Sequence, residues 1–207
     1  MLKLFGSLTS PYARKARILV HEKKIECEFV VEDPWSADSK IPQMNPLGKV
    51  PVLQVADDMF VFESQLVMLY LNNLDGRPWG PKDPAGYWRC EWWQALGQGI
   101  LDAGIARRME VTRPEDKQMP EKVAREEARI QRALDAAEEA FKGGEFLVST
   151  RLSMADIVFG VALQYTDFRY TTEWRDAHPK LAQYVAGLAA RPSFVETQPP
   201  GFTPPAA

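Results

Sequence analysis

A proline- and glycine-rich segment at residues 75–84 divides the sequence into two parts with different periodicities. Before this segment, short apolar runs alternate with amphipathic stretches, and after it apolar residues recur at helical spacing. Proline and glycine interrupt both helices and strands, so such a break is typical of an interdomain linker. The sequence therefore predicts an α/β domain at 1–76, a linker at 77–84 and an all-helical domain at 85–207 with a proline-rich tail.

The first part reads as strand, helix, strand, an irregular link, then strand, strand and helix. The predicted strands are Leu2 to Phe5, Glu26 to Val31, Val50 to Val55 and Met59 to Phe62. The predicted helices begin at Pro11 and at Glu63-Ser64. In the second part, the run from Leu152 to Arg169 is almost entirely apolar, which indicates a buried central helix.

The overall composition is that of a soluble globular protein, with 45% hydrophobic and 26% charged residues and a net charge of −3 in 207 residues. No basic block indicates nucleic-acid binding, the start of the sequence lacks the long apolar core of a signal peptide, and no apolar run approaches the length of a membrane span. Cys27 and Cys90 form no metal or redox motif. We therefore expect a cytoplasmic protein with no metal, no nucleic-acid partner and no membrane association.

Thr9-Ser10-Pro11-Tyr12 lies at the predicted junction between the first strand and the first helix. The free N–H groups and the positive dipole end of a helix stabilise an anion, including a thiolate. A hydroxyl held at that junction can donate a hydrogen bond to the thiolate. The alternative is that Ser10 only caps the helix, because serine is a favoured N-cap residue.

Lys49-Val50-Pro51-Val52-Leu53 has a proline at the start of a strand, where it cannot donate to the ladder. A cis peptide bond before Pro51 would turn the Val50 backbone outward, so that its N–H and C=O pair with a peptide ligand. A trans proline on an edge strand is the alternative.

Phe62-Glu63-Ser64-Gln65 opens the predicted second helix with a carboxylate and a hydroxyl. Such residues serve as simple caps. They also suit a zwitterionic amino-acid head group, in which Glu63 takes the ammonium while Ser64 and the helix N–H groups take the carboxylate.

In this order and at these element boundaries, the three motifs resemble those of the glutathione transferase superfamily. The resemblance covers essentially the whole chain, since Leu152-Ser153-Met154-Ala155-Asp156-Ile157 is similar to that family's helical-domain capping motif. The run to Asp167-Phe168-Arg169 looks like a bacterial subgroup. Ser153 and Asp156 have capping-box spacing and are predicted to be structural. The resemblance implies a thioredoxin-like domain followed by an all-α helical bundle, and a homodimer.

The resemblance also implies roles for single residues. Ser10 occupies the position of the catalytic serine of serine-type members, and the neighbouring hydroxyls of Thr9 and Ser7 could compete for that role. Lys40 and Lys49 are both candidates for the glycyl carboxylate of glutathione. The residues expected to bind glutathione, which enters as a co-substrate, are Thr9, Tyr12, Lys49, Val50, Pro51, Glu63 and Ser64.

The implied activity is that of a detoxifying glutathione transferase, which activates the glutathione thiolate for attack on a small hydrophobic electrophile. We expect a second-substrate cleft with Leu8, Arg107, Tyr165 and Phe168 as candidate wall residues. The alternative is a glutathione-binding or regulatory protein of the same fold with little or no turnover.

Overall fold

The computed structural model describes residues 1–205, which form two compact units. The first unit comprises Met1–Trp79 and Arg191–Phe202. The second unit is built from Gly80–Ala190. Within residues 1–205, no helix is both long and apolar enough to cross a bilayer.

The first unit contains a four-stranded mixed sheet with the strand order β2-β1-β3-β4. Its strands are β1 (Leu2–Gly6), β2 (Cys27–Val31), β3 (Val52–Ala56) and β4 (Met59–Phe62). Its helices include α1 (Pro11–Glu22), α2 (Ile41–Met44) and α3 (Ser64–Asn73). β1 pairs parallel to β2 and antiparallel to β3, and β3 pairs antiparallel to β4. The predicted α/β class and the predicted order of elements are confirmed.

The core of the first unit follows from the apolar faces of these elements. Val52 and Leu53 on the central strand β3 are both fully buried, as is typical of a strand covered on both faces. Helices α1 and α3 pack against each other. Strand β3 begins at Val52 rather than at the predicted Val50, because Pro51 has no N–H to donate to the ladder.

The second unit is helical, as predicted. Its helices are α4 (Pro84–Val111), α5 (Pro120–Ala140), α6 (Met154–Arg169), α7 (Trp174–Ala177) and α8 (Pro179–Ala189), with a 3-10 turn at Glu115–Lys117. Every residue of α6 from Met154 to Thr166 is buried. The prediction that this helix is central is therefore confirmed.

Helices α4 and α6 run parallel and approach each other closely at glycines. A Cβ atom at Gly97 would lie 3.0 Å from Phe159 Cα, and one at Gly104 would lie 3.2 Å from the Tyr165 ring. Both contacts advance along the two helices in the same direction, which defines the parallel packing. Gly97 is required because its neighbours there are backbone atoms that cannot rotate away.

We expect Gly97→Ala to lower the free energy of unfolding by about 1–3 kcal/mol, because overpacking the α4–α6 contact forces backbone shifts. Gly99→Ala on the same helix is the matched control, since Gly99 is exposed and has open space around its Cα. That change should stabilise the protein by about 0.5–1 kcal/mol through helix propensity. Urea denaturation of both variants checks the pair, and a Gly97→Ala variant as stable as Gly99→Ala would contradict the packing described.

The segment after α8 packs on the first unit, whereas the expected helical domain runs to residue 207. It contains α9 (Pro192–Glu196). The Arg191 guanidinium forms two 2.9 Å bonds to the Glu22 carboxylate at the end of α1. The buried Arg14 of α1 donates to Phe194 O at 3.1 Å and to Thr197 Oγ1 at 3.4 Å. These buried polar contacts fix the segment to α1.

Candidate functional site

The three motifs meet at one edge of the sheet in the first unit. Phe5 near the end of β1 pairs with Val52 at the start of β3, and Val52 pairs with Phe62 at the end of β4. Neighbouring strands lie about 4.8 Å apart. The chain segments after β1, before β3 and after β4 therefore start within about 10 Å of one another.

Ser10 is the N-cap of α1, where its Oγ accepts a hydrogen bond from Ala13 N at 3.2 Å. The capping role raised as an alternative is therefore present. A serine hydroxyl has one donor and two acceptor positions, so the cap leaves its O–H free to donate to an anion. Capping and binding of a thiolate are compatible functions of this one side chain.

The neighbouring hydroxyls are arranged differently from Ser10. Thr9 is exposed, and its Oγ1 lies 3.2 Å from Ser7 Oγ. The Thr9 N–H also donates to Ser7 Oγ, at 3.3 Å. Thr9 and Ser7 thus bond each other in the loop, while Ser10 is fixed to the start of the helix. Tyr12 is half-buried one residue inside α1.

The start of α1 carries basic rather than acidic residues. No acidic residue lies in its first turn, and Arg14 and Lys15 are both buried. Burial, with a smaller contribution from the neighbouring Arg17 charge, lowers the pKa of Arg14 to about 9. Lys15 Nζ lies 5.7 Å from the centre of the Tyr12 ring. The helix dipole favours an anion near Ser10, and the first turn of α1 holds no carboxylate to oppose it.

The Val50-Pro51 peptide bond is cis, which is the first of the two alternatives that the sequence allowed. The buried Asn45 holds the loop before it, because Asn45 Nδ2 donates to Lys49 O at 2.7 Å and Asn45 Oδ1 accepts from Leu47 N at 2.9 Å. Within residues 1–205, the Val50 backbone N–H and C=O make no backbone hydrogen bond. Both groups are available to a ligand.

Glu63 is the N-cap of α3 and has a left-handed backbone with φ of 68°. Such a conformation in a residue other than glycine costs about 1–3 kcal/mol and clusters at functional sites. The Glu63 carboxylate accepts from Gln65 N at 3.2 Å and from Ser64 Oγ at 3.4 Å. Glu63 is exposed whereas Ser64 is buried, so the carboxylate lies open to solvent beside a fixed hydroxyl.

The two candidate lysines also lie near this edge. Lys49 is exposed three residues before β3. The Lys40 N–H donates to Glu32 Oε1 at 2.9 Å, and Glu32 directly follows β2. The end of β2 lies at the same edge, since Val31 pairs with Gly6. Either lysine is thus within the loops that surround the three motifs.

The candidate cleft residues are divided between the two units. Leu8 belongs to the first unit, and Arg107, Tyr165 and Phe168 belong to α4 and α6 of the second. Arg107 is held by Glu127 at 2.7 Å and lies over the Tyr170 ring at 4.2 Å.

Two features of this part of the molecule were not predicted from the sequence. Asn45 is part of a quoted motif, but its role as a buried support for the Val50 loop depends on side-chain geometry. The adjacent Arg14-Lys15 pair is visible in the sequence of α1, but the sequence does not show which face of the helix it occupies. The face that it occupies depends on the segment after α8.

Comparison with known proteins finds a matching domain family in each of the two units. Residues 9–74 match the glutathione S-transferase N-terminal domain family, and residues 120–187 match the corresponding C-terminal domain family. The uncharacterized GST-like protein YibF of Escherichia coli is 37% identical over 201 residues, which is 96% of this chain and 99% of that protein.

Two solved structures are similar over nearly the whole chain. A glutathione S-transferase from Methylobacillus flagellatus with glutathione bound has a TM-score of 0.90 at 32% identity, over 96% of this chain and 100% of that one. A glutathione transferase family member from Pseudomonas fluorescens with bound S-(propanoic acid)-glutathione has a TM-score of 0.84 at 31% identity. That match covers 97% of this chain and 100% of the other.

Proposed function

This chain belongs to the glutathione S-transferase superfamily, and we propose that it is a glutathione transferase in which Ser10 activates the glutathione thiol for attack on a small hydrophobic electrophile. The observation that carries the proposal is the single sheet edge at which the Ser10, Val50 and Glu63-Ser64 motifs meet. The glutathione and the S-substituted glutathione bound by relatives at 32% and 31% identity support it.

The order β1, β3, β4 in the sheet suits the thiol, the cysteinyl backbone and the γ-glutamyl group of glutathione, in that order. Strand β3 lies between β1 and β4. A cysteinyl backbone paired with Val50 at the start of β3 would direct its sulfur toward the Ser10 loop after β1. Its γ-glutamyl end would then reach Glu63 and Ser64 after β4, with the ammonium on Glu63 and the carboxylate on Ser64 and the N–H groups of α3. Thr9, Tyr12 and Pro51 complete the proposed site, and Lys40 or Lys49 would take the glycyl carboxylate.

Ser10 and the helix start together supply enough energy to ionise the thiol. A free thiol titrates near pH ~8.5, and lowering its pKa by about two units requires roughly 2.7 kcal/mol. The start of a partly buried helix contributes up to about 2 kcal/mol. A hydroxyl donor to an anion adds about 1.5–3 kcal/mol.

Glu63→Gln and Ser64→Ala should each weaken glutathione binding about tenfold or more, because each removes a charge-assisted contact worth about 1.5–3 kcal/mol. Calorimetric titration with glutathione measures the effect. Asp58→Asn is the matched control for the lost charge, since Asp58 lies in the β3–β4 turn at the opposite end of the strands. Unchanged affinity in both site variants would show that the head group binds elsewhere.

We also propose a cytoplasmic homodimer in which the first domain of one chain contacts the helical domain of the other. Large apolar side chains exposed on α3 and α4 support it, among them Leu66, Leu69 and Trp88, which is 69% exposed. The free thiols of Cys27 and Cys90 suit a reducing compartment. Sedimentation at low micromolar concentration should give twice the chain mass, and a monomer alone would overturn the dimer.

A further inference from the structure

We propose that the second unit contains an anion-binding site, formed by Arg108, Arg169 and the Tyr165 hydroxyl, that takes the carboxylate of a small organic acid. All three residues belong to the second unit, whereas the proposed glutathione site is built from residues of the first unit. The proposal does not depend on glutathione binding.

The parallel packing of α4 and α6 brings these residues to one level. The Tyr165 ring lies against Gly104. Arg108 follows Gly104 by one helical turn, and Arg169 follows Tyr165 by one helical turn, so each arginine lies on the face that its helix presents at that contact. The Arg107 guanidinium donates to Arg169 O at 3.3 Å, which confirms that the ends of the two helices meet here.

The carboxylates of the neighbouring residues already form ion pairs with other arginines. Glu127 pairs with Arg107 at 2.7 Å, and Asp167 pairs with Arg175 at 2.7 Å. In the described part of the chain, neither Arg108 nor Arg169 forms an ion pair. Burial, and to a smaller extent the charge of Arg108, lowers the pKa of Arg169.

One buried donor at this point also lacks a partner. Arg169 Nε is buried and has no hydrogen-bond acceptor. Tyr165 is only 6% exposed, and no described residue hydrogen-bonds to its hydroxyl. Burial raises the pKa of Tyr165, while the charges of Arg169 and Arg108 oppose that rise. A buried donor without an acceptor is rare and costly, and a ligand that supplies an acceptor to Arg169 Nε would account for it.

The chemistry of the three groups selects a carboxylate. They offer hydrogen-bond donors and two positive charges, which match an acceptor-only anion. The planar guanidinium fork fits a carboxylate with two parallel bonds. The Phe168 ring lies 3.7 Å from Arg169 Cζ, and in such apolar surroundings a singly charged group costs less to desolvate than a doubly charged one.

The test is ligand-observed NMR titration of the full chain with benzoate and with its neutral analogue benzamide. Benzoate should bind saturably, and benzamide should bind at least about tenfold more weakly. Arg108→Gln and Arg169→Gln should each weaken benzoate binding about tenfold or more, and Tyr165→Phe should weaken it less. Arg132→Gln, which removes the same charge from an exposed position on α5, should leave it unchanged.

Ser64→Ala is a further control, because benzoate could otherwise occupy the proposed glutathione site. Loss of benzoate binding in Ser64→Ala, together with unchanged binding in both arginine variants, would overturn the proposal. So would equal binding of benzamide or the absence of saturable benzoate binding. Tyr165→Phe keeps the ring that packs on Gly104, so it reports on the hydroxyl even if an arginine variant is poorly folded. Glutathione titration of the same samples tests the first unit separately.

Discussion

Asp156→Ala should lower the free energy of unfolding by about 3–5 kcal/mol, because it removes the common acceptor of several buried donors. The carboxylate is completely buried at the start of α6. It accepts bonds from Leu147 N at 2.8 Å, Ser153 N at 2.8 Å, Ser153 Oγ at 2.6 Å and Tyr184 OH at 3.0 Å. Alanine would leave these donors without an acceptor, and each unsatisfied donor costs about 1–3 kcal/mol.

Urea denaturation measures this change, provided that the wild type and the variant show the same dependence of the free energy of unfolding on urea concentration. Asp176→Ala on α7 is the control, because Asp176 is exposed and a surface change of this kind should stay within about 0.5 kcal/mol. Glutathione affinity should be unchanged in any Asp156→Ala protein that remains folded. A loss of stability below about 1 kcal/mol would contradict the view that Asp156 organises the buried centre of the second unit.

Ser10→Ala should reduce turnover at pH 7 by about tenfold or more while leaving glutathione affinity nearly intact. The proposed binding energy comes from the Val50 backbone and from Glu63 and Ser64, whereas Ser10 contacts only the sulfur. Loss of a hydroxyl bond to the thiolate, worth about 1.5–3 kcal/mol, raises the thiol pKa by one to two units. Activity should therefore recover in part at higher pH, where the thiol ionises unaided.

The capping role of Ser10 requires a control for stability. Ser10→Ala also removes the acceptor for Ala13 N, which costs about 0.5–2 kcal/mol of stability. Ser10→Thr keeps both the cap and the hydroxyl and should retain activity. Thr9→Ala tests the rival hydroxyl. If Thr9→Ala abolishes activity and Ser10→Ala does not, the role belongs to Thr9.

The features predicted correctly from the sequence depend on local chemistry. The proline at the head of β3, the serine before α1 and the capping box of α6 each act within a few residues. These residues therefore predicted where the helices and strands begin. They also carried the resemblance to the glutathione transferase superfamily. The sheet edge that gathers the motifs follows from the order of those elements.

The features that the sequence did not predict depend on contacts between distant residues. The bond between Arg14 and Phe194 joins positions 180 residues apart, and the pairing of Arg191 with Glu22 joins positions 169 apart. A short helix in a proline-rich tail carries no signal for the surface on which it packs. The proposed site at Arg108 and Arg169 likewise depends on how α4 and α6 are aligned along their lengths.

The pH titration of thiolate absorbance in the glutathione complex tests the central proposal most directly. With the protein saturated, as verified by calorimetry, the bound thiol should titrate about two units below the ~8.5 of a free thiol, so that thiolate absorbance is present at pH 7. A bound thiol that titrates like free glutathione would contradict the proposed activation, because the complex would then hold glutathione without ionising its sulfur.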